Sequence, residues 1–167
     1  MNTKLLEKCK KVKLVLTDVD GVLTDGGMYY TAEGDTMKKF QTRDGMGVTL
    51  LRKKNIPTII ITKEKTKIVK RWAVKMKIEK LYDGVLQKEG IVDIICKKYC
   101  ISSDEIAYIG DDVNDVELLK RVGLSVVPHD AVNAAKKVSH YICRANGGAG
   151  AFREVADLIL AKHGDKI

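Results

Sequence analysis

The sequence contains few residues of the kinds that build disulfide scaffolds, membrane spans or base-stacking surfaces. Its 167 residues include four cysteines and two prolines, and aromatic residues make up only 5% of the chain. No apolar run approaches the length of a membrane span, and the Lys-rich start lacks the apolar region of a signal peptide. No cysteine pair has the spacing of a zinc site. We therefore expect a cytoplasmic protein with reduced thiols and no membrane partner.

Basic residues outnumber acidic ones, 30 against 22, and the net charge is +8. A basic surface can bind nucleic acid, but platforms for single strands need aromatic side chains beside the cations. Here aromatic residues are scarce and the lysines are spread over helical segments. We therefore expect no nucleic-acid partner, and a positive field that attracts an anionic phosphate ester instead.

Hydrophobic residues make up 45% of the chain and charged residues 31%, as in a globular protein with a real core. Short apolar runs alternate with amphipathic segments, and there is no repeat or linker. This pattern predicts an α/β fold, a three-layer doubly wound parallel sheet, in a single domain over residues 1–167. Strands are expected at 14–17, 58–61, 81–82, 106–109, 124–127 and 141–142, and helices at 48–54, 66–77, 88–99, 113–121, 131–137 and 151–162.

Two aspartates, Asp18 and Asp20, come directly after the first apolar run. On a regular strand, residues two apart point toward the same face. Two carboxylates that close repel each other unless a cation or a proton lies between them. Mg²⁺ would satisfy them, since it prefers carboxylates and phosphate oxygens. From this segment alone, a solvated turn with ordinary acidic residues explains the pair equally well.

A second acidic cluster, residues 110–115 (Gly-Asp-Asp-Val-Asn-Asp), follows the apolar run 106–109. The carboxyl ends of parallel strands meet at one edge of a sheet, so both clusters can share a site. Thr62 follows the strand at 58–61, and Lys88 lies between the two clusters in sequence. In this order and spacing, these residues and the first Asp-x-Asp segment resemble the four signature motifs of the haloacid dehalogenase superfamily of phosphohydrolases.

Residues 26–41 predict a β-hairpin, with strands at 28–31 and 37–40 around a Gly-containing turn at 32–35. The arm is too small for a cap domain. Asp44, which follows it, is a candidate N-cap for the next helix. Together with the Arg-Asp-Gly segment at 43–45 and the Gly-Gly-x-Gly segment at 147–150, the hairpin narrows the resemblance. The chain is similar to the capless phosphatases of 3-deoxy-D-manno-octulosonate 8-phosphate and of N-acylneuraminate or KDN 9-phosphate.

The resemblance implies catalysis through an aspartyl-phosphate. Asp18 would attack phosphorus, and Asp20 would protonate the leaving oxygen and later activate water. Thr62 and Lys88 would bind phosphoryl oxygens, and Asp115 would orient Lys88 or a metal-bound water. A surface lysine and a helix N-terminal acid are the simpler explanations of Lys88 and Asp115. The resemblance also implies Mg²⁺, held by the Asp18 carboxylate, the Asp20 main-chain carbonyl and Asp111.

For assembly, the resemblance implies a homotetramer whose hairpins form a central barrel and whose tails, about 144–167 here, cover neighbouring active sites. An arginine suits a sugar acid because its planar guanidinium binds a carboxylate through two hydrogen bonds. The simpler explanation of Arg153 is a surface ion pair with Glu154 or Asp157. The simpler explanation of Gly147, Gly148 and Gly150 is a flexible linker before a helix. The candidate substrate-binding residues are Thr24, Arg43, Asp44, Glu64, Lys75, Arg144, Gly147, Gly148 and Arg153.

One segment departs from the eight-carbon pattern. Octulosonate-phosphate phosphatases usually carry Thr-Gly-Arg-Lys after the second strand, whereas residues 62–65 read Thr-Lys-Glu-Lys. Glu64 in place of the arginine, with Lys75 one helix further along, resembles the nine-carbon branch. We therefore favour a nonulosonate 9-phosphate over octulosonate 8-phosphate. Lys63 replaces the usual glycine, which leaves the direction of the Glu64 side chain open.

Two other classes of protein share parts of this pattern. A related domain fused to CMP-sialate synthetases serves as a tetramerisation module with weak catalysis. A module of that kind needs neither the acidic pair at 18 and 20 nor Lys88 and Asp111, all of which are intact. A response-regulator receiver also has aspartates at strand ends, but its phospho-acceptor lies in mid-chain. We therefore favour the phosphatase.

Overall fold

The structure is a computed structural model that describes residues 3–161, apart from the side chain of residue 35. Seven α-helices and eight strands occur in this part of the chain. In order they are α1 (Thr3–Lys11), β1 (Leu14–Thr17), β2 (Tyr29–Thr31), β3 (Gly34–Met37), α2 (Thr42–Lys53), β4 (Thr58–Ile61), α3 (Lys67–Met76), β5 (Lys80–Tyr82), α4 (Ile91–Tyr99), β6 (Ile106–Ile109), α5 (Val116–Arg121), β7 (Leu124–Val127), α6 (Asn133–Val138), β8 (Tyr141–Ile142) and α7 (Ala151–Leu160).

Six strands form one parallel sheet in the order β5-β4-β1-β6-β7-β8. The central strand β1 pairs with β4 on one side and β6 on the other, so that Leu16 lies between Ile59 and Tyr108. All residues of β1, β4, β6 and β7 are buried, as expected for parallel strands covered on both faces. The predicted α/β fold with a parallel sheet is confirmed.

Helices cover both faces of the sheet, because successive strand residues point to opposite sides. Val15 belongs to a core cluster with buried residues of α1, α2, α3 and α7. Its neighbours Leu14 and Leu16 belong to a second cluster, with buried residues of α4, α5 and α6. The result is the predicted three-layer arrangement. None of the helices in residues 3–161 is both long and apolar enough to cross a membrane.

The predicted hairpin is present as β2 and β3, which form a separate antiparallel pair. A bridge between Thr24 and Phe40 closes its base. The second strand begins at Gly34, three residues earlier than predicted, and Gly34 has the positive φ of 112° that a tight turn favours. Residues 3–161 contain no cap domain beyond this hairpin.

Helices α2 to α6 begin one to six residues away from their predicted starts, and α2 differs most. Helix α2 begins at Thr42 rather than at Val48, with Gln41 as its N-cap, so the capping role predicted for Asp44 in this helix is wrong. Lys88 lies in a 3₁₀ turn, Lys88–Gly90, that precedes α4. Helix α1 was not predicted. The expected end of the last helix at 162, and the tail to 167, lie outside the described residues.

Candidate active site

The predicted acidic segments meet at the carboxyl edge of the sheet. Asp18 follows β1, Thr62 follows β4 and Asp111 follows β6, and these three strands are neighbours. A cavity of about 270 Å³ opens there. It is lined by Asp18, Asp20, Gly21, Gly26, Thr62, Lys63, Glu64, Asp111, Asp112 and Asn114.

Lys88 is buried between two carboxylates. Its Nζ donates to Asp18 Oδ2 at 2.6 Å and to Asp115 Oδ1 at 2.7 Å, and its side chain is 1% exposed. Burial lowers the pKa of Lys88, but the two carboxylates raise it further, to above its usual value. Lys88 therefore stays charged, and the simpler explanation of a surface lysine is wrong.

Asp115 holds Lys88 in place and is itself held by several donors. Its Oδ1 also accepts the Tyr108 hydroxyl at 2.6 Å. Its Oδ2 accepts the backbone N–H groups of Asp111 and Asp112, at 2.8 and 3.2 Å. The Asp115 carboxylate thus connects Lys88 to the loop that carries Asp111. Sequence reasoning missed Tyr108, although a hydroxyl within an apolar strand requires a buried partner.

Asp18 and Asp111 are the carboxylates best suited to a divalent cation. Oxygen atoms of Asp18, Asp111 and Asp115 lie within 4.8 Å of one another. Since Asp115 already accepts from four donors, the other two have more coordination capacity to offer.

The electrostatics of these two carboxylates also favour a cation. Burial raises the pKa of Asp18 to about 7, although Lys88 opposes the shift. Burial and the neighbouring Asp18 carboxylate raise the pKa of Asp111 to about 8. A bound divalent cation favours the ionised forms and relieves this repulsion. The residues present therefore fit a divalent metal.

Asp20 is held from one side only. Its Oδ1 accepts Lys38 Nζ at 2.7 Å and, at 3.3 Å, the Thr24 hydroxyl, which it shares with the Val19 carbonyl oxygen. Its Oδ2 is buried and accepts no hydrogen bond from the residues that the structure describes. Thr24 is fully buried, so its hydroxyl supports Asp20 where we expected a substrate contact. Sequence reasoning missed Lys38, because only the return of the hairpin brings it near Asp20.

Three glycines allow close packing around the nucleophile loop. Gly21 has a φ of 79°, and a Cβ there would lie 2.0 Å from Asp111 Oδ2. A Cβ on Gly147 would lie 1.9 Å from the Gly21 carbonyl oxygen. Gly148 N–H donates to the Val22 carbonyl at 2.9 Å. Gly147 and Gly148, which we expected to contact substrate or to form a linker, instead pack against the backbone of the site.

Glu64 and Lys63 follow Thr62 at the end of β4. Thr62 is nearly fully buried, and its hydroxyl accepts the Glu64 N–H at 3.3 Å. Glu64 and Lys63 line the same cavity as Asp18. Lys75 lies elsewhere, in a cavity beside Trp72, whose ring stacks on Phe40.

The three candidate arginines line a different cavity, of about 460 Å³, on the side of α7. Arg43 and Arg144 are exposed there, and Arg153 forms an ion pair with Asp157 at 2.7 Å. The simpler explanation of Arg153, a helix-surface ion pair, is therefore confirmed. None of the three is among the residues that line the Asp18 cavity.

Asp44 is a structural residue. It is fully buried, and its Oδ1 accepts the Arg153 N–H in the first turn of α7 at 2.8 Å. Burial raises its pKa to about 6, although the backbone N–H groups of Arg153 and Gly150 oppose the shift. The expected direct contact of Asp44 with a substrate is therefore wrong.

A family model described as haloacid dehalogenase-like hydrolase matches residues 38–154. The 3-deoxy-D-manno-octulosonate 8-phosphate phosphatase of Haemophilus influenzae is 35% identical over 158 residues, which cover 95% of this chain and 88% of the relative. The enzyme of the same name from Salmonella typhi is 36% identical over 164 residues, covering 98% of this chain and 87% of the relative.

Solved structures give the same result. The Yersinia pestis phosphatase of that name superposes with a TM-score of 0.94 at 34% identity, covering 97% of this chain and 88% of the other. The Moraxella catarrhalis enzyme, in complex with magnesium ion, phosphate ion and KDO, gives 0.93 at 34% identity, covering 97% and 93%. This agreement over nearly the whole chain, in sequence and in fold, places the chain among the haloacid dehalogenase-like hydrolases, in the branch of phosphatases that these relatives represent.

Proposed function

We propose that this phosphatase hydrolyses a phosphorylated sugar acid, with 3-deoxy-D-manno-octulosonate 8-phosphate as the favoured substrate. The observation that carries the proposal is the buried Asp18–Lys88–Asp115 network at the carboxyl edge of β1, which opens into a polar cavity. The substrate class is supported by relatives of that name, which are 35–36% identical over nearly the whole chain.

In the proposed first step, the Asp18 carboxylate attacks phosphorus and forms an aspartyl-phosphate. Lys88 lies 2.6 Å from this carboxylate, so its charge offsets the repulsion between Asp18 and the phosphate. The Thr62 hydroxyl and Lys88 stabilise the phosphoryl oxygens as charge builds up on them. Asp18, Asp111 and the Asp20 main-chain carbonyl would hold Mg²⁺, which when bound would supply further positive charge to these oxygens.

Asp20 carries the proton through both steps. It donates a proton to the bridging oxygen as the bond from that oxygen to phosphorus breaks, and the sugar acid leaves as an alcohol. The ionised Asp20 then takes a proton from a water molecule, whose oxygen attacks the aspartyl-phosphate. Phosphate and the free Asp18 carboxylate result, and Asp20 is again protonated. Asp20 lines the Asp18 cavity, and its Oδ2 accepts no hydrogen bond from the described residues, so this oxygen suits the exchange.

A nine-carbon substrate is the second candidate, because Glu64 lines the Asp18 cavity. A carboxylate at this point disfavours a nearby substrate carboxylate and favours contacts with hydroxyl or amine groups. Lys63, which lines the same cavity, offsets part of that charge. The Glu64 side chain is therefore the feature that distinguishes the two substrates.

We further propose that the enzyme acts as a cytoplasmic homotetramer. The hairpin exposes Met28, Tyr30 and Met37 by 62%, 65% and 56%. An isolated two-stranded hairpin is at best marginally stable in water, so a partner surface would stabilise it. The candidate arginines line a cavity of their own, and a neighbouring subunit could bring such residues to the substrate. The complete catalytic network argues against a module that only assembles.

The test is a comparison of kcat/KM for octulosonate 8-phosphate, nonulosonate 9-phosphates and hexose 6-phosphates, with Mg²⁺ and with a chelator. We expect preference for a sugar acid and loss of turnover in the chelator. Glu64→Arg should change the ratio of the eight-carbon to the nine-carbon substrate by roughly tenfold to a hundredfold, the effect of one charged hydrogen bond. Hydrolysis of 4-nitrophenyl phosphate, which has no sugar, should change little.

Glu117→Arg is the matched control, since Glu117 is an exposed glutamate that pairs with Lys120 on α5. It makes the same change of charge away from the cavity and should leave the ratio unaltered. A preference for hexose phosphates would exclude the sugar-acid substrate. An equal loss on every substrate in Glu64→Arg would show that Glu64 supports the loop around Thr62.

A further inference from the structure

Lys38 is a buried lysine that lies next to the proposed proton carrier. Its side chain is 2% exposed, and its Nζ donates to Asp20 Oδ1 at 2.7 Å. A lysine is almost never buried to this extent unless it is paired with an acidic group. It directly follows β3, and the hairpin brings it back from 18 residues beyond Asp20.

The chain is fixed to the nucleophile loop just after Lys38. Phe40 forms a bridge with Thr24. The neighbouring Lys39 also pairs with Asp25, at 3.1 Å, but its side chain is 61% exposed, so this ion pair contributes little. Thr24, which is fully buried, donates its hydroxyl to the same Asp20 oxygen at 3.3 Å. The base of the hairpin therefore holds the Lys38 ammonium group at a defined place beside Asp20.

This contact distinguishes the two oxygens of Asp20. Oδ1 accepts both Lys38 and Thr24, whereas Oδ2 accepts no hydrogen bond from the described residues. We propose that Lys38 is a positioning residue that fixes the Asp20 carboxyl so that Oδ2 gives and takes the catalytic proton. The proposal rests on the proposed role of Asp20. The proton on Oδ2 passes to the bridging oxygen as the bond to phosphorus breaks, and Oδ2 later receives a proton from the attacking water.

Loss of Lys38 should affect a sugar phosphate and an aryl phosphate differently. A sugar alkoxide is a poor leaving group and needs the proton, whereas 4-nitrophenolate leaves without one. The quotient kcat/KM includes the steps up to the departure of the leaving group, and kcat also includes hydrolysis of the aspartyl-phosphate, in which Asp20 acts as base. Misplacing Asp20 should therefore lower kcat/KM for the sugar phosphate alone, and kcat for both substrates.

The experiment compares Lys38→Met with wild type on octulosonate 8-phosphate and on 4-nitrophenyl phosphate. We expect kcat/KM for the sugar phosphate to fall by about a hundredfold, within the range of general acid catalysis. For 4-nitrophenyl phosphate we expect kcat and KM to fall together, so that kcat/KM changes by less than about threefold. In an Asp20→Asn background, Lys38→Met should add little, because both changes act on the same step.

Lys39→Met is the matched control, since Lys39 is the next residue along the chain, its ion pair with Asp25 is solvent-exposed and therefore weak, and the variant should retain wild-type kinetics on both substrates. Thermal unfolding checks that each variant is folded. If Lys38→Met does not fold, Lys38→Gln provides the same comparison with a polar side chain, and Lys38→Arg should restore part of the lost activity.

An equal fall in kcat/KM on both substrates would show a structural role and overturn the proposal, as would unchanged kinetics in Lys38→Met. A different result would contradict the proposed function itself: hydrolysis of neither phosphate ester by the wild type. The proposed function also fails if Asp20→Asn retains full activity on the sugar phosphate.

Discussion

At the scale of single residues, the site is organised around unbalanced charge. Asp18 and Asp115 hold one buried ammonium group, that of Lys88, and oxygen atoms of these two carboxylates and of Asp111 lie within 4.8 Å of one another. With all three carboxylates ionised, the formal charge of these four groups is −2. A divalent cation balances it, and without a cation the raised pKa values of Asp18 and Asp111, about 7 and 8, favour protons instead. Metal binding at this site should therefore release protons.

The first prediction at this scale concerns Asp18. In Asp18→Asn the amide occupies nearly the same volume but is no nucleophile, so kcat should fall to well below a tenth of the wild-type value. Steady-state kinetics with 4-nitrophenyl phosphate measures the loss, and circular dichroism checks the fold. Asp93→Asn, at an exposed aspartate paired with Arg121, is the matched control and should stay fully active. Retention of more than about a tenth of kcat in Asp18→Asn would exclude covalent catalysis at this residue.

The sequence allowed some residues of the site to be predicted and not others. Asp18, Thr62 and Asp111 end neighbouring strands, so the alternation of strands and helices is enough to bring them together. Lys38 reaches the site through the return of the hairpin, and Tyr108 through a hydroxyl inside an apolar strand. Neither position stands out in sequence, since lysines are common and a strand tyrosine is usually a core residue.

At the scale of elements, the pairing of α2 with α7 explains why the start of α2 was predicted too late. Its first turns contain Gly45 and Gly47, which disfavour a helix by propensity. Gly47 allows α7 to approach, since a Cβ there would lie 3.2 Å from the Ala156 Cβ. Asp44 accepts an N–H group from the first turn of α7, which has no partner within that helix. These tertiary contacts outweigh local propensity.

Asp44 gives this helix pair a pH dependence that can be measured. Burial raises its pKa from 3.8 to about 6, so between these values the folded protein binds more protons than the unfolded chain. Stability therefore falls as pH rises through this interval, and the contribution is fully lost above about pH 6. Asp44→Asn has no proton to lose, so its free energy of unfolding should decline less between pH 4 and pH 7, by about 1–3 kcal/mol.

Urea unfolding at several pH values within that interval measures the difference. Asp157→Asn is the matched control, because Asp157 lies on the surface of α7 and its side chain pairs with Arg153. It should retain the wild-type pH dependence. Parallel pH profiles for wild type and Asp44→Asn would contradict the assignment of the shift to Asp44.

At the scale of the whole molecule, strand order positions the catalytic groups and leaves the cavity open on one side. The order β4-β1-β6 at the centre of the sheet places Thr62, Asp18 and Asp111 side by side. This arrangement follows from the alternation of strands and helices, so the fold and the core of the site could be predicted. In the proposed assembly the site would be covered by other copies of the chain, and this cover could not be derived in the same way, because contacts between copies leave no periodic pattern in sequence.

The last prediction concerns that cover. Replacing residues 29–37 by a short Gly-Ser turn removes the exposed part of the hairpin and retains Lys38, so it separates assembly from the positioning of Asp20. Because closure of a site excludes water and strengthens its electrostatics, the variant should form smaller species and lose most of its kcat/KM for octulosonate 8-phosphate. Light scattering and steady-state kinetics measure the two effects together. Val74→Ser is the control for loss of surface hydrophobicity, since Val74 is an apolar residue on α3 that is 79% exposed. It should change neither the size of the assembly nor kcat/KM. A monomeric variant with full activity would show that the active site needs no neighbouring subunit.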